Sequence, residues 1–414
     1  MAQYFLDLVY SLANCMCCFP GSPQLKINSR SFKILRLLGE GGFSYVYLVQ
    51  DTSNESLYAL KKIRCPFGQE SVSQAMKEVE AYALFAPHPN VIHSVDYSVQ
   101  ADKTDTGAKT VYILLPYYRR GNLQDIINAN LINHTRFPER RLMQLFLGVC
   151  NALKAMHQYR VRGPPGGTDS ANRAHRARED AAQADGDAAS EIANRKWKNK
   201  NTDRDIEDVE QEPLMEGEVM RSQEGVGPGE LRAYAHRDIK PGNIMIADDG
   251  NEPILMDLGS IAPSPTPITS RSLALAVQDT AAEHSTMPYR APELFDVKTG
   301  STIDTKVDIW SLGCTLYACL VGKSPFEMRS EETGGSLSLC VLGGDWRFPD
   351  ESAQGTKAKP VGDGQGISEG IREIVRRCLR VEPAERPDVD ELIKMVGVAI
   401  SGLEGDDGGP ENSS

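Results

Sequence analysis

The chain has 414 residues, enough for two or three average domains and for a sizeable buried core. Its 45 basic and 57 acidic side chains leave a net charge of −12, with no basic stripe interleaved with aromatics, which excludes a nucleic-acid binder that works by bulk electrostatics. The nine cysteines do not form the paired CxxC clusters of a zinc module, and with no cleavable leader or apolar run of about 18 residues, a reducing, intracellular compartment is expected.

The first segment, "MAQYFLDLVYSLANCMCCFPGSP", puts Phe5, Leu8, Val9 and Leu12 on one helical face and Asp7, Ser11 and Asn14 on another. Cys15, Cys17 and Cys18 follow, and residues 1–29 read as an N-terminal amphipathic segment open to acylation. Between residues 32 and 63, β-branched and aromatic residues alternate between turn signals, which predicts three antiparallel strands. "VSQAMKEVEAYALF" predicts a helix, "VYILLPYY" a further strand, and "PERRLMQLFLGVCNALKAMHQ" a long buried helix.

Residues 159–232 break the pattern, being rich in Gly, Ala and both charges and nearly free of aromatics. Such a stretch cannot repay its ordering entropy by burial and is expected to be a disordered insert. It reads either as a solvated loop or as a regulatory segment, with "RKWKNK" the best candidate for a recognition patch. Beyond it "EPILMDLGS" predicts a strand, "VDIWSLGCTLYACLVG" a buried helix and "GIREIVRRCL" another, before a frayed tail at 401–414.

"GEGGFSYV" lies between two predicted strands, where Gly39, Gly41 and Gly42 let a hairpin backbone close on phosphate oxygens, with Glu40, Phe43 and Ser44 alongside. Taken alone it is equally a hairpin with no ligand. No GK[ST] is present and a strand follows, so it is not a Walker loop. "YALKKI" supplies Lys61 and "AMKEVEAY" supplies Glu78, an ion pair that would aim at the α- and β-phosphates of a nucleotide. Glu80 competes for that role but sits about 200° round the helix, and spacing to "HPN" favours Glu78.

"HRDIKPGN" and "MDLGS" complete a set with distinct tasks. Asp238 would accept a hydroxyl proton, Lys240 would neutralise a moving phosphoryl group, and Asn243 and Asp257 would hold Mg²⁺, with Mn²⁺ as the alternative of overlapping ligand preference.

With these motifs in this order the chain resembles the eukaryotic protein kinases over residues 30–158 and 233–400, so the insert would split that domain just before the catalytic loop. The resemblance implies a bilobal α+β fold, a small antiparallel sheet with one helix above a mainly helical lobe, with ATP in the cleft. It implies that Val46, Ala59 and Met245 sandwich the adenine, Leu115 is the gatekeeper, and Pro116, Tyr117 and Tyr118 form the hinge. It further implies that Glu293 of "YRAPELF" pairs with Arg386, that Asp308 of "DIWSLG" braces the catalytic loop, and that Thr286 bridges Asp238 and Lys240 as in Ser/Thr kinases.

Within that superfamily "LLGEGGFSYVYLV", "LMDLGS" and "LALAVQDTAAEHSTMPYRAPELF" are similar to the Numb-associated kinases, most of all to the myristoylated and palmitoylated branch and its fungal membrane-bound relatives. That likeness implies an extra activation-segment helix at 272–283, protein substrates bearing Ser or Thr, and peripheral contact with the cytoplasmic face of Golgi or vacuole. Ala2 stands where N-myristoylation requires glycine, so thioester acylation is the expected anchor. A pseudokinase scaffold would be signalled by loss of one catalytic residue, and a small-molecule kinase by loss of "APE" and "DIWSLG"; neither loss occurs.

Overall fold

The computed structural model describes residues 24–42, 44–101, 108–161, 229–351 and 366–403. The N-terminal stripe with Cys15, Cys17 and Cys18, Phe43, "RKWKNK" and the chain from 404 onward lie outside the described residues.

The upper lobe is a six-stranded antiparallel sheet in the order β1-β2-β3-β4-β6-β5, built from β1 (Gln24–Ile27), β2 (Arg30–Glu40), β3 (Ser44–Asp51), β4 (Leu57–Cys65), β5 (Asp96–Ala101) and β6 (Lys109–Pro116). The three predicted strands are β2 to β4. The sheet begins at Gln24, six residues before the expected edge of the domain, because Asn28 takes a left-handed φ of 53° and closes a two-residue turn that pairs Ile27 with Arg30. Asn28 Nδ2 also donates to Asp96 Oδ1 at 2.8 Å, which draws β1 toward β5 at the far edge.

One face of the sheet closes over Ile27, Phe32, Val49, Leu60 and Leu114. Helix α1 (Gln69–Leu84) buries Val72, Ala75, Val79 and Tyr82, on the spacing that puts one stripe inward. Two register shifts in β2, between Ile34 and Arg36 and between Leu37 and Gly39, add bulges that twist the strand as it enters the glycine hairpin.

The lower lobe is mainly helical: α2 (Leu123–Asn133), α3 (Glu139–His157), α4 (Arg271–His284), α5 (Lys306–Val321), α6 (Pro325–Thr333), α7 (Leu337–Gly343), α8 (Glu369–Cys378) and α9 (Val389–Gly402). α5 is buried along its whole length from Val307 to Cys319, as an all-round apolar helix must be. Trp310 stacks on Phe326 at 5.2 Å, and the Arg386 guanidinium lies 5.0 Å from the Trp310 ring centre. Gly148 of α3 lets that helix approach Pro253, since a Cβ there would meet the proline ring at 2.5 Å. Among the described residues no helix is long and apolar enough to cross a membrane, and the six described cysteines are all buried.

Residues 158–232 form a unit of their own, of which 158–161 and 229–232 are described. Its two ends pair: Val161 N–H donates to the Glu230 carbonyl at 3.0 Å, Gly229 N–H to the Val161 carbonyl at 2.8 Å, and Arg232 N–H to the Tyr159 carbonyl at 2.7 Å.

Candidate active site

Strand register assembles the upper wall. Val46 pairs with Lys61 and Leu48 with Ala59, while on the other side Ile113 pairs with Lys61 and Leu115 with Ala59. Residues two apart on β4 share a face, so Val46, Ala59, Lys61 and Leu115 all look the same way. Pro116 ends β6, and Tyr117 and Tyr118 follow, both part-buried. Burial, with Asp248 nearby, pushes the Tyr118 phenol up. From the lower lobe Met245 lies on β8 (Ile244–Ile246), which pairs with β9 (Pro253–Leu255).

The glycine hairpin spans Glu40 to Ser44, and Gly41 N–H donates to the Ser44 carbonyl at 2.8 Å. A Cβ built on Gly39 or Gly42 meets no protein atom within 4 Å. Protein packing therefore does not require glycine at either position; the open space is a cradle that side chains would intrude upon, and it suits a phosphate chain.

Lys61 Nζ donates to Glu78 Oε1 at 2.7 Å and to Asp257 Oδ1 at 3.0 Å. Burial alone would lower the lysine, but the charges of Asp257 and Glu78 outweigh it and hold it well above its ordinary range. Burial raises Asp257, yet Lys61, His236 and Lys240 keep that carboxyl below the usual range. Glu78 is buried, and Glu80 is exposed on the opposite side of α1, so the structure selects Glu78.

Asp238 is buried with four donors on its two oxygens. Thr286 N–H and the Thr286 hydroxyl reach Oδ1 at 2.9 and 2.8 Å, and Lys240 Nζ and Asn243 Nδ2 reach Oδ2 at 2.8 and 2.9 Å. Lys240 Nζ also donates to Thr286 Oγ1 at 2.7 Å, so the expected Thr286 bridge between Asp238 and Lys240 is in place. Both amide hydrogens of Asn243 go to Asp238, to its carbonyl and to Oδ2, which leaves Asn243 Oδ1 as the atom for a cation.

Asp308 anchors this loop from beneath. Its Oδ2 accepts His236 N–H at 2.8 Å and lies 2.9 Å from His157 Nε2, and its Oδ1 accepts Arg237 N–H at 2.8 Å. Burial raises Asp308, but the His157 hydrogen bond and charge lead the groups that hold it below the ordinary carboxylate range. These bonds hold Arg237 in a left-handed conformation, φ 68°, that a non-glycine residue adopts only at a cost. Asp257 is strained likewise, with φ 60°. The predicted strand over 252–260 therefore stops at Leu255, and Leu258–Ser260 forms a 3₁₀ turn.

The remaining sequence expectations fall into place around these two clusters. Glu293 takes a two-pronged pair from Arg386 at 2.6 and 2.8 Å. The activation-segment helix expected at 272–283 is α4, capped by Ser270, whose Oγ accepts Leu273 N–H at 3.1 Å. Sequence reasoning missed Tyr82 and His157. Tyr82 lies four residues after Glu78, the helical spacing for contact, and His157 closes the last turn of α3.

Comparison with known proteins agrees with the geometry. The family model described as "Protein kinase domain" matches residues 32–162 and 232–396. The serine/threonine-protein kinase ENV7 of Saccharomyces cerevisiae is 35% identical over 403 residues, covering 94% of this chain and 98% of the relative. The serine/threonine-protein kinase ppk13 of Schizosaccharomyces pombe is 36% identical over 375 residues, 91% of this chain and 92% of the relative. Serine/threonine-protein kinase 16 of Rattus norvegicus is 29% identical over 371 residues, 89% and 90%. With the lobes, the paired Lys61 and Glu78, and the Asp238 loop all in hand, the chain belongs to the protein kinase family.

Proposed function

We propose that the chain transfers the γ-phosphoryl group of ATP to serine and threonine hydroxyls of protein substrates. The observation that carries this is the double cluster of Lys61 with Glu78 and Asp257, and Asp238 with Lys240, Asn243 and Thr286. A lone carboxylate and a lone amide oxygen are too few for a self-sufficient metal cage, and among the described residues no cluster of three or more His, Cys, Asp or Glu forms one. They suit a hard cation that shares its shell with phosphate oxygens. When bound, Mg²⁺ on Asn243 and Asp257 would supply neutralisation of phosphate charge, and Mn²⁺ suits the same oxygens.

The chain's own part is positioning. Lys61, fixed by Glu78, orients the α- and β-phosphates, and the glycine hairpin offers backbone N–H groups above them. Asp238 aligns the acceptor hydroxyl and takes its proton, and Lys240 offsets the charge that develops on the moving group. Thr286 ties Asp238 to the activation segment, so acceptor binding and loop placement are one event. The direct test is labelled-phosphate transfer to a generic protein substrate, with Asp257→Ala as blank. Asp238→Asn that binds ATP but transfers nothing supports the base role; a near-normal rate in that variant removes it.

In the same reading the chain is a member of the myristoylated and palmitoylated branch of the Numb-associated kinases. The support is the α4 helix following the metal-binding Asp257. It is a peripheral protein of the cytoplasmic face of Golgi or vacuole, held by the apolar stripe at 5, 8, 9 and 12 and by acylation of Cys15, Cys17 and Cys18. One acyl chain binds membranes marginally, so the apolar stripe plus two or three thioesters is the sufficient combination. Changing the three cysteines to serine and fractionating cells tests this: a protein that stays in the membrane pellet is held some other way.

A further inference from the structure

Glu78 has a second partner besides Lys61. Tyr82, one turn further along α1, is 1% exposed, and its hydroxyl donates to Glu78 Oε1 at 2.7 Å, the same oxygen that Lys61 Nζ reaches at 2.7 Å. α1 packs on the Leu258–Ser260 turn so closely that a Cβ on Gly259 would sit 3.4 Å from Glu78 Oε2 and 3.6 Å from Asp257 Oδ1. The carboxylate that the hydroxyl reaches thus lies where the helix that carries Glu78 meets the turn that follows Asp257.

We propose that Tyr82 is a positioning residue, a latch whose hydroxyl holds the Glu78 carboxylate on Lys61, where α1 meets the Asp257–Gly259 turn. The proposal rests on the reading of Lys61, Glu78 and Asp257 as the nucleotide-orienting set. Its logic is one of shared donors. Lys61 divides its N–H groups between Glu78 and Asp257, and a lysine that turns toward phosphates loosens its hold on a buried carboxylate, which then bears an uncompensated charge. Tyr82 keeps Oε1 satisfied throughout, so Glu78 has no reason to swing out. Burial, with the charges of Glu78 and Asp257, keeps the phenol protonated and therefore a donor. A leucine or methionine of similar volume would fill the same space and leave the carboxylate without this partner.

Tyr82→Phe removes the oxygen and keeps the ring. The KM for ATP is expected to rise about tenfold or more, with the KM for the protein substrate unchanged, as the loss of one hydrogen bond to a charged group implies. Backbone amides at 79–84 are expected to exchange with deuterium about tenfold faster in the nucleotide-free protein. In the Glu78→Gln background the same change is expected to move the exchange at 79–84 far less, because the acceptor has lost its charge. Unchanged exchange and unchanged KM for ATP overturn the proposal. So does an equal effect in the Glu78→Gln background, which would make Tyr82 mere packing. A Tyr82→Phe chain that does not fold assigns the residue to the core and overturns it too. Failure of the underlying reading shows separately: Lys61→Met and Asp257→Ala would then still transfer phosphate, whatever the exchange data report.

Discussion

Across one cleft, Gly39 and Gly42 face open space while Asp238 has four donors on its two oxygens. The hairpin is held by a strand ladder and one turn bond; the loop around Asp238 is held by Asp308, His157, Thr286 and Asn243 at once. The contrast separates two demands. Groups that aim a hydroxyl must already be in place, since misplacement by about 1 Å can cost about a hundredfold in rate. Groups that cover a nucleotide must let it in and out, so their order is left for the ligand to complete.

The largest break is expected at the rigid side. Asp257→Ala is expected to lower turnover by about a thousandfold or more, measured as phosphate incorporation at saturating ATP. Next comes Asp308→Asn, which leaves His157 and two loop N–H groups facing a poorer acceptor and is expected to destabilise by about 3 kcal/mol in denaturant titration at pH 7. The pH dependence carries a sign. Because the folded carboxyl sits below its ordinary value of about 3.9, its contribution is complete above that value and is lost as pH falls through the lower folded one. The gap between wild type and Asp308→Asn is therefore expected to be constant near neutrality and to narrow below about pH 4. A gap that widened on acidification would mean the carboxyl is not held down by His157 and the loop.

On the compliant side, Gly42→Ala is expected to raise the KM for ATP about threefold while moving the thermal midpoint by no more than about a degree, since the added methyl meets no protein atom. An equal loss of stability and affinity would show that the hairpin is packed after all. Smaller still is the expected effect of phosphatase. α4 is held by the Ser270 cap, by Gln278 Oε1 accepting Val297 N–H at 3.3 Å and by Arg290 donating to the Ser285 carbonyl at 2.8 Å. Arg237 Nη2 is engaged by the Thr266 hydroxyl at 3.3 Å. Dephosphorylated protein is expected to keep its rate within about twofold, an effect under about half a kcal/mol. A chain inert until a second kinase is added would place the rigid side under external control.

The same contrast governs what could be read from the chain beforehand. Asp238, Lys240 and Asn243 were legible because their tasks require fixed offsets along one loop, and Lys61 because a strand pattern surrounds it. The element types of α1, α3 and α5 followed from apolar spacing, and α4 from the family likeness. Tyr82 was not legible: an aromatic at the fourth position after a glutamate is also what an amphipathic helix places in a core, and only the 2.7 Å bond distinguishes the two. β1 escaped because four residues carry little periodicity and Asn28 was the only turn signal. The early end of β9 escaped because the strain at Asp257 is imposed by partners more than a hundred residues distant in the chain, such as Lys61.

The buried thiols have a practical corollary. Cys65, Cys150, Cys314, Cys319, Cys340 and Cys378 are all shut inside the fold. Burial pushes Cys319 and Cys378 up to about 12 and raises Cys65, Cys150 and Cys314 as well. Thiolate is the reactive form, so an alkylating reagent added to the native protein is denied access at all six positions and, at the five whose thiols are pushed up, the nucleophile as well. Of the nine cysteines, only Cys15, Cys17 and Cys18 then remain to be counted. Native alkylation before and after hydroxylamine thus tests the proposed acylation: up to three new sites per chain if thioesters are present, and none if they are not.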